Sequence, residues 1–257
     1  MLTPGDYGTF VAIMKSVSIT NDGAGEAGVA PDGITINAGV GDVVGLRGLI
    51  IDGGGTGDIG IEVTAVSALH VQNCVIRNFE AVGFGYGIRF HPITDTQLFL
   101  SDTLIYNNGS GANSGGIWVL GHKAIPNHKL VLNRVQFENN VFGLKVDGSS
   151  LSGGTVRVIV RDSVFSGNAG DGIIATNSAS AAGVVFMVDG SSFVNNGGTG
   201  VLANGQRATI LLNDNVITGN GTGISAISGG QLISYGNNKN NNNVGPEGTP
   251  TSLFSQM

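Results

Sequence analysis

A four-residue frame, glycine followed by apolar-x-apolar, recurs along almost the whole chain. It appears at Gly33-Ile34-Thr35-Ile36, Gly60-Ile61-Glu62-Val63, Gly87-Ile88-Arg89-Phe90 and Gly116-Ile117-Trp118-Val119. It continues at Gly143-Leu144-Lys145-Val146, Gly172-Ile173-Ile174-Ala175, Gly200-Val201-Leu202-Ala203 and Gly223-Ile224-Ser225-Ala226. A second frame, interleaved with the first, ends in Asn108, Asn140, Asn168, Asn196 and Asn220, at spacings of 32, 28, 28 and 24 residues. Self-similarity at such a period marks stacked supersecondary units, each too small to bury its own apolar face. Composition agrees: Gly is 44 of 257 residues and Pro only 6. Without a collagen period, that balance predicts many short strands joined by tight turns.

Alternation of apolar and polar positions predicts how one coil is built. Ile19, Ile51, Ile76, Ile105, Phe137, Phe165, Phe193 and Ile217 read as one inward slot, with the three phenylalanines stacked. The five asparagines read as a ladder in one turn, with Phe79 holding that slot in the coil before and the amides bonding from coil to coil. These asparagines are also expected to adopt left-handed backbone, and the frame glycines to open strands at sharp turns. A third strand precedes the Phe strand, as at Leu69-His70-Val71 and Val158-Ile159-Val160. The expected fold is therefore all-β: a single-stranded parallel β-helix of three short sheets and about eight coils, with an Asn ladder and a Phe stack. The crossover rule predicts right-handed winding. Residues 1–243 form this solenoid in the reading, and 244–257 form a C-terminal tail that is a strap or disordered. No amphipathic cap helix is visible at the N-terminus, so a partner is one expected source of that cap.

Charge narrows the classes of function. Charged residues are 12% of the chain and the net charge is −6, which speaks against nucleic acid and anionic membrane as partners. No apolar run is long enough for membrane insertion. No secretory signal is visible at Met1, and the opening Met1 to Gly5 reads as an interior position given a new Met. One cysteine, Cys74, gives neither an internal disulfide nor a Cys-based metal site. No metal cage and no cofactor motif is read from the sequence; Asp102, Asp162 and Asp214 share a slot but alternate with Arg134 and Gly190.

With three-strand coils, a Phe column and an Asn ladder, the chain resembles the pectin lyase-like superfamily, and more narrowly bacterial right-handed parallel β-helix repeat proteins of unassigned function. The stretches that carry the likeness are Lys15 to Gly28, Leu46 to Gly53 and Cys74-Val75-Ile76-Arg77-Asn78-Phe79, and it extends from about Gly8 to Asn243. The resemblance implies export, hence an extracellular, cell-surface or periplasmic place. It implies little about activity, because one fold carries many functions. The galacturonan hydrolases of this superfamily use Asn-Thr-Asp, Asp-Asp, Gly-His-Gly and Arg-Ile-Lys signatures. None occurs here; the only Gly-His is Gly121-His122-Lys123.

One outward row is chemically unusual for this chain. The middle position of the glycine frame reads Thr35, Glu62, Arg89, Trp118, Lys145, Ile174, Leu202, Ser225. Trp118 is the only tryptophan. Two long turns, at 80–86 and 109–115, are expected to raise a lip beside it, and nearby turns bring His91, His122, Lys123, His128 and Lys129. An aromatic platform flanked by cations suits an acidic glycan, so Glu62, Arg89, His91, Trp118, His122 and Lys145 are the candidate ligand-binding residues. His91 and His122 are expected in exposed turns. Three readings stay open for this face: cross-strand pairs that merely cover a sheet, glycan binding without chemistry, and a lyase or hydrolase in which Arg89 or Lys145 serves as base. The catalytic residues of such an enzyme are unassigned.

A competing surface is the apolar outward row Val75, Leu104, Gln136, Val164, Ser192, Val216. It is expected to seat the C-terminal tail through Val244, Leu253 and Phe254, or to mediate self-association of a protein that is otherwise a monomer. The functional expectation is an exported, non-catalytic structural or carbohydrate-binding protein with polysaccharide as its partner. The alternatives are a polysaccharide lyase or glycoside hydrolase and a self-assembling scaffold.

Overall fold

A computed structural model describes residues 5–6, 8–23, 26–120, 127–151, 153–178 and 182–254. Every regular element among them is a strand, and every strand pairing is parallel. Three sheets, ten, nine and ten strands deep, are each built from every third strand in chain order, except that the last strand, Ser252–Leu253, adds to the third sheet two strands after its neighbour. That order defines a parallel β-helix: the chain visits each sheet once per turn. About eight coils carry full-length strands, and two-residue strands such as Gly5–Asp6, Lys239–Asn240 and Ser252–Leu253 deepen the sheets at the ends.

Inward residues from all three sheets meet in one continuous core. Leu69, Ile76 and Ile88, one from each sheet in successive strands, have no exposed surface. Phe137, Phe165 and Phe193 are wholly buried and stack at 4.6 and 4.9 Å, with ring planes within 10° of parallel. In-register parallel strands repeat at about 4.8 Å, so identical aromatics in one slot meet face to face. The slot itself runs Val29, Ile51, Ile76, Ile105, Phe137, Phe165, Phe193, Ile217. Ile19 is not part of it: it lies on the next sheet, paired with Leu46. Alternation alone fixes which way Ile19 points but not which of three sheets holds its strand.

The Asn ladder is continuous. Asn140 Oδ1 accepts from the backbone N–H of Asn108 at 3.1 Å and from its Nδ2 at 3.0 Å. The pattern repeats through Asn168, Asn196 and Asn220, and closes on Asn243. Left-handed backbone falls one residue earlier than expected, at Asn107, Asn139 and Asn195, with Gly167 and Gly219 in the same slot of the other coils. The residue with positive φ turns the chain, and the next residue is then free to aim its amide inward. A second ladder accompanies the first, its acceptors being Thr103, Ser163, Ser191, Asn215 and Asn238, each receiving the backbone N–H of the coil before.

The frame glycines serve packing more than turning. A Cβ on Gly87 would sit 2.7 Å from the Gly116 carbonyl oxygen and 2.8 Å from the Ile105 side chain, and Gly87 has no positive φ. The coil closes so tightly on its neighbour that only hydrogen fits. The tail winds over the last coil instead of lying along the apolar outward row. Val244 donates to Asn220, Gly245 to Gly221 and Thr251 to Leu232, and Ser252–Leu253 adds a strand to the third sheet. The outward row from Val75 to Val216 is in register along the first sheet.

Candidate functional site

Glu62, Arg89, Trp118 and Lys145 lie on strands Ile59–Ala65, Tyr86–Phe90, Gly115–Leu120 and Leu144–Asp147. These strands are neighbours in one sheet, and the four residues are direct partners in register. Their side chains therefore form one row about 15 Å long on the outer face. Thr35 precedes the row and Ile174 follows it. All four are half-buried.

Two turns build a wall beside the row. Ser110 donates through its backbone N–H to Phe84 at 3.0 Å, and Gly83 donates to Ser110 Oγ at 3.1 Å, so the turns at 80–86 and 109–115 hold each other up. Val82 and Phe84 are exposed on this lip. Asn113, from the second turn, accepts from Lys145 Nζ at 3.3 Å. The same Nζ stands 5.4 Å from the Trp118 ring centre and 5.9 Å from that of Phe142. Tyr86 packs under Trp118 at 5.3 Å. Burial raises the Tyr86 hydroxyl pKa against the opposing charge of Arg89. Burial likewise raises that of Asp171, which faces Lys145 and accepts from Thr199. Sequence reading missed Tyr86, Asn113, Phe142 and Asp171. Asn113 sits in a turn whose length marked it; the others become visible only when coils are stacked.

The pairing along the row is uneven. His91 Nε2 lies 2.9 Å from Glu62 Oε1, whereas the Arg89 guanidinium reaches the same oxygen only at 3.6 Å. The Arg89 side chain makes no hydrogen bond among the described residues, and its Nε is covered without a partner. The indole Nε1 of Trp118, in the next coil, is also covered and unpartnered. Both atoms are covered and do not face solvent, whereas the Arg89 side chain as a whole is 35% exposed. The guanidinium is a fixed fork of five donors and matches a carboxylate or sulfate in shape.

The histidines do not converge. His91 is half-buried and engaged with Glu62, not an exposed turn residue. His70 is on a different sheet, stacked on Phe99 at 4.7 Å. His128 is fully buried, edge-on to Phe90 at 5.3 Å, and its two ring nitrogens have no partner among the described residues. Burial lowers its pKa to about 4. His122 and Lys123 lie outside the described residues. No group of three His, Cys, Asp or Glu side chains suited to a metal ion occurs among the described residues. Asp102 and Arg134, which share the left-handed turn slot, make a two-pronged ion pair at 2.6 and 2.9 Å on the surface. No helix of the described residues is long and apolar enough to cross a membrane.

No protein-family model, no curated protein and no solved structure matches this chain.

Proposed function

We propose that this protein is an exported, non-catalytic β-helix of the pectin lyase-like kind that binds an acidic polysaccharide at the cell surface through the Glu62–Lys145 row. The observation that carries the reading is the in-register row itself, in which the partly exposed Arg89 side chain and Lys145 flank Trp118 on the outer face. A carboxylate or sulfate of a bound sugar supplies an acceptor for the partly exposed guanidinium of Arg89. Lys145 adds a second charge, and its acceptor Asn113 is neutral, so a ligand carboxylate competes well for it. The Trp118 ring, backed by the buried Tyr86, gives the sugar an apolar face to pack on.

The test uses Trp118 as its own reporter, since it is the only tryptophan. Oligogalacturonate should shift its emission, and Arg89→Ala and Lys145→Ala should each weaken binding about tenfold or more. Absence of any shift and of calorimetric binding with acidic oligosaccharides would reduce the row to sheet cover. New chain ends in the incubated polysaccharide, lost in either variant, would make the protein an enzyme instead.

A further inference from the structure

The two ends of the solenoid differ, and each leaves apolar surface open. At the N-terminal end, Val11, Ile19, Ala27, Val29, Ile34 and Leu49 wall a pit of about 160 Å³ that no charged or polar side chain lines. At the C-terminal end the tail covers the nine-stranded sheet, where Gly223 and Ile224 donate to the Pro246 and Glu247 carbonyls. Leu253 and Phe254 nevertheless stand 69% and 53% exposed there. Free strand edges lie beside both features. Among the described residues, Gly5–Asp6 and Val17–Thr20 at one end, and Lys239–Asn240 and Ser252–Leu253 at the other, have a neighbour on one side only. Such edges carry unpaired N–H and C=O groups and template a further strand.

The register matches the two ends residue by residue. In the third sheet one inward column starts at Ile19, runs through Leu46, Val71, Leu132 and Ser234, and ends at Leu253. In the first sheet the column that holds Val75, Leu104 and Val216 starts at Asp6 and ends at Lys239. A second copy, shifted along the axis so that both sheets continue in register, brings Leu253 onto Ile19 in the wall of the pit. The same shift sets Lys239 beside Asp6, and the strands stay parallel as in every other pairing. Lys239 is exposed and makes no ion pair among the described residues. One placement thus satisfies the apolar surface, the charge and the strand edges together. Head-to-head pairing would join two ends that both carry Asp6 and a pit, and it would leave Leu253 outside.

We infer that copies of this chain stack head to tail, with Leu253 of one copy seated in the N-terminal pit of the next and Lys239 paired with Asp6. Each junction repeats the same shift, an open heterologous contact, so the product is a filament and not a closed dimer. The Glu62–Lys145 row stays free on the outer face of every copy.

Sedimentation of the full chain over a concentration series, with electron microscopy, tests this contact. Wild type should grow from monomers to rods as concentration rises. Leu253→Asp, at an exposed position, should stay monomeric. Asp6→Lys and Lys239→Glu should each weaken association at least about fivefold, because each turns an opposite-charge pair into a like-charge one. Mixed in equal amounts, these two variants should recover wild-type assembly, since every junction between unlike copies again pairs opposite charges. Circular dichroism confirms that the variants fold. A wild type that is monomeric at every concentration, assembly that survives Leu253→Asp, closed dimers in place of rods, or a mixture that assembles no better than its parts overturns the proposal.

Discussion

Replacing Asn168 with alanine tests the physical basis of the stack. Its side chain accepts from the Asn140 backbone N–H at 3.0 Å and from Asn140 Nδ2 at 3.2 Å. It donates to Asn196 Oδ1 at 2.8 Å and to the Phe137 carbonyl at 3.4 Å. Asn168 is 1% exposed, so water cannot take these places. The substitution leaves the Asn140 N–H with no acceptor and weakens three further bonds. An orphaned buried donor costs about 1–3 kcal/mol and each further net bond about 0.5–1.5 kcal/mol, which places the total at about 2.5–7.5 kcal/mol. Asn243→Ala removes the last rung, where two accepted bonds from Asn220 are lost but the site is partly open to water. That variant should lose only about 1 kcal/mol. Urea denaturation gives both values, and amide exchange should show the Asn140 proton losing protection only in the Asn168 variant. A loss below about 1 kcal/mol for Asn168→Ala, or equal losses for both, would refute the argument that the ladder is held by buried, mutually satisfied amides.

Two further outcomes follow from the core. His128 is buried neutral, with a pKa lowered to about 4 against an unfolded value of 6.5, so its contribution is complete above about pH 6.5 and lost as pH falls towards 4. Between pH 7.5 and 4.5 the wild type should lose about 2.5 kcal/mol more than His128→Leu in denaturant titrations, and equal losses would show that His128 finds a partner when charged. Gly87→Ala should destabilise the coil by about 1–3 kcal/mol because its Cβ meets the Gly116 carbonyl and Ile105; a neutral result in thermal unfolding would mean that neighbouring coils can separate.

The repeat determines the fold because every coil must satisfy the same local demands. A large apolar residue at the Phe137 slot, an amide at the Asn140 slot and no side chain at Gly87 recur at near-constant spacing, and only stacked parallel coils meet all three demands. The row from Glu62 to Lys145 was legible for the same reason, since equal positions in the frame become neighbours in register. Sequence could not place Ile19, because the first coils lack the Asn turn that fixes which sheet a strand joins. The second ladder was hidden by its mixture of Thr, Ser and Asn, three residue types with one function as acceptor. Only the tertiary structure decided which charges pair. Turn lengths differ from coil to coil, and they bring His91 within 2.9 Å of Glu62 while holding the Arg89 guanidinium off at 3.6 Å and leaving its Nε and the Trp118 indole N–H without acceptors. Hydrogen bonding depends on tenths of an ångström and on angle, which a period of 24 to 32 residues does not encode.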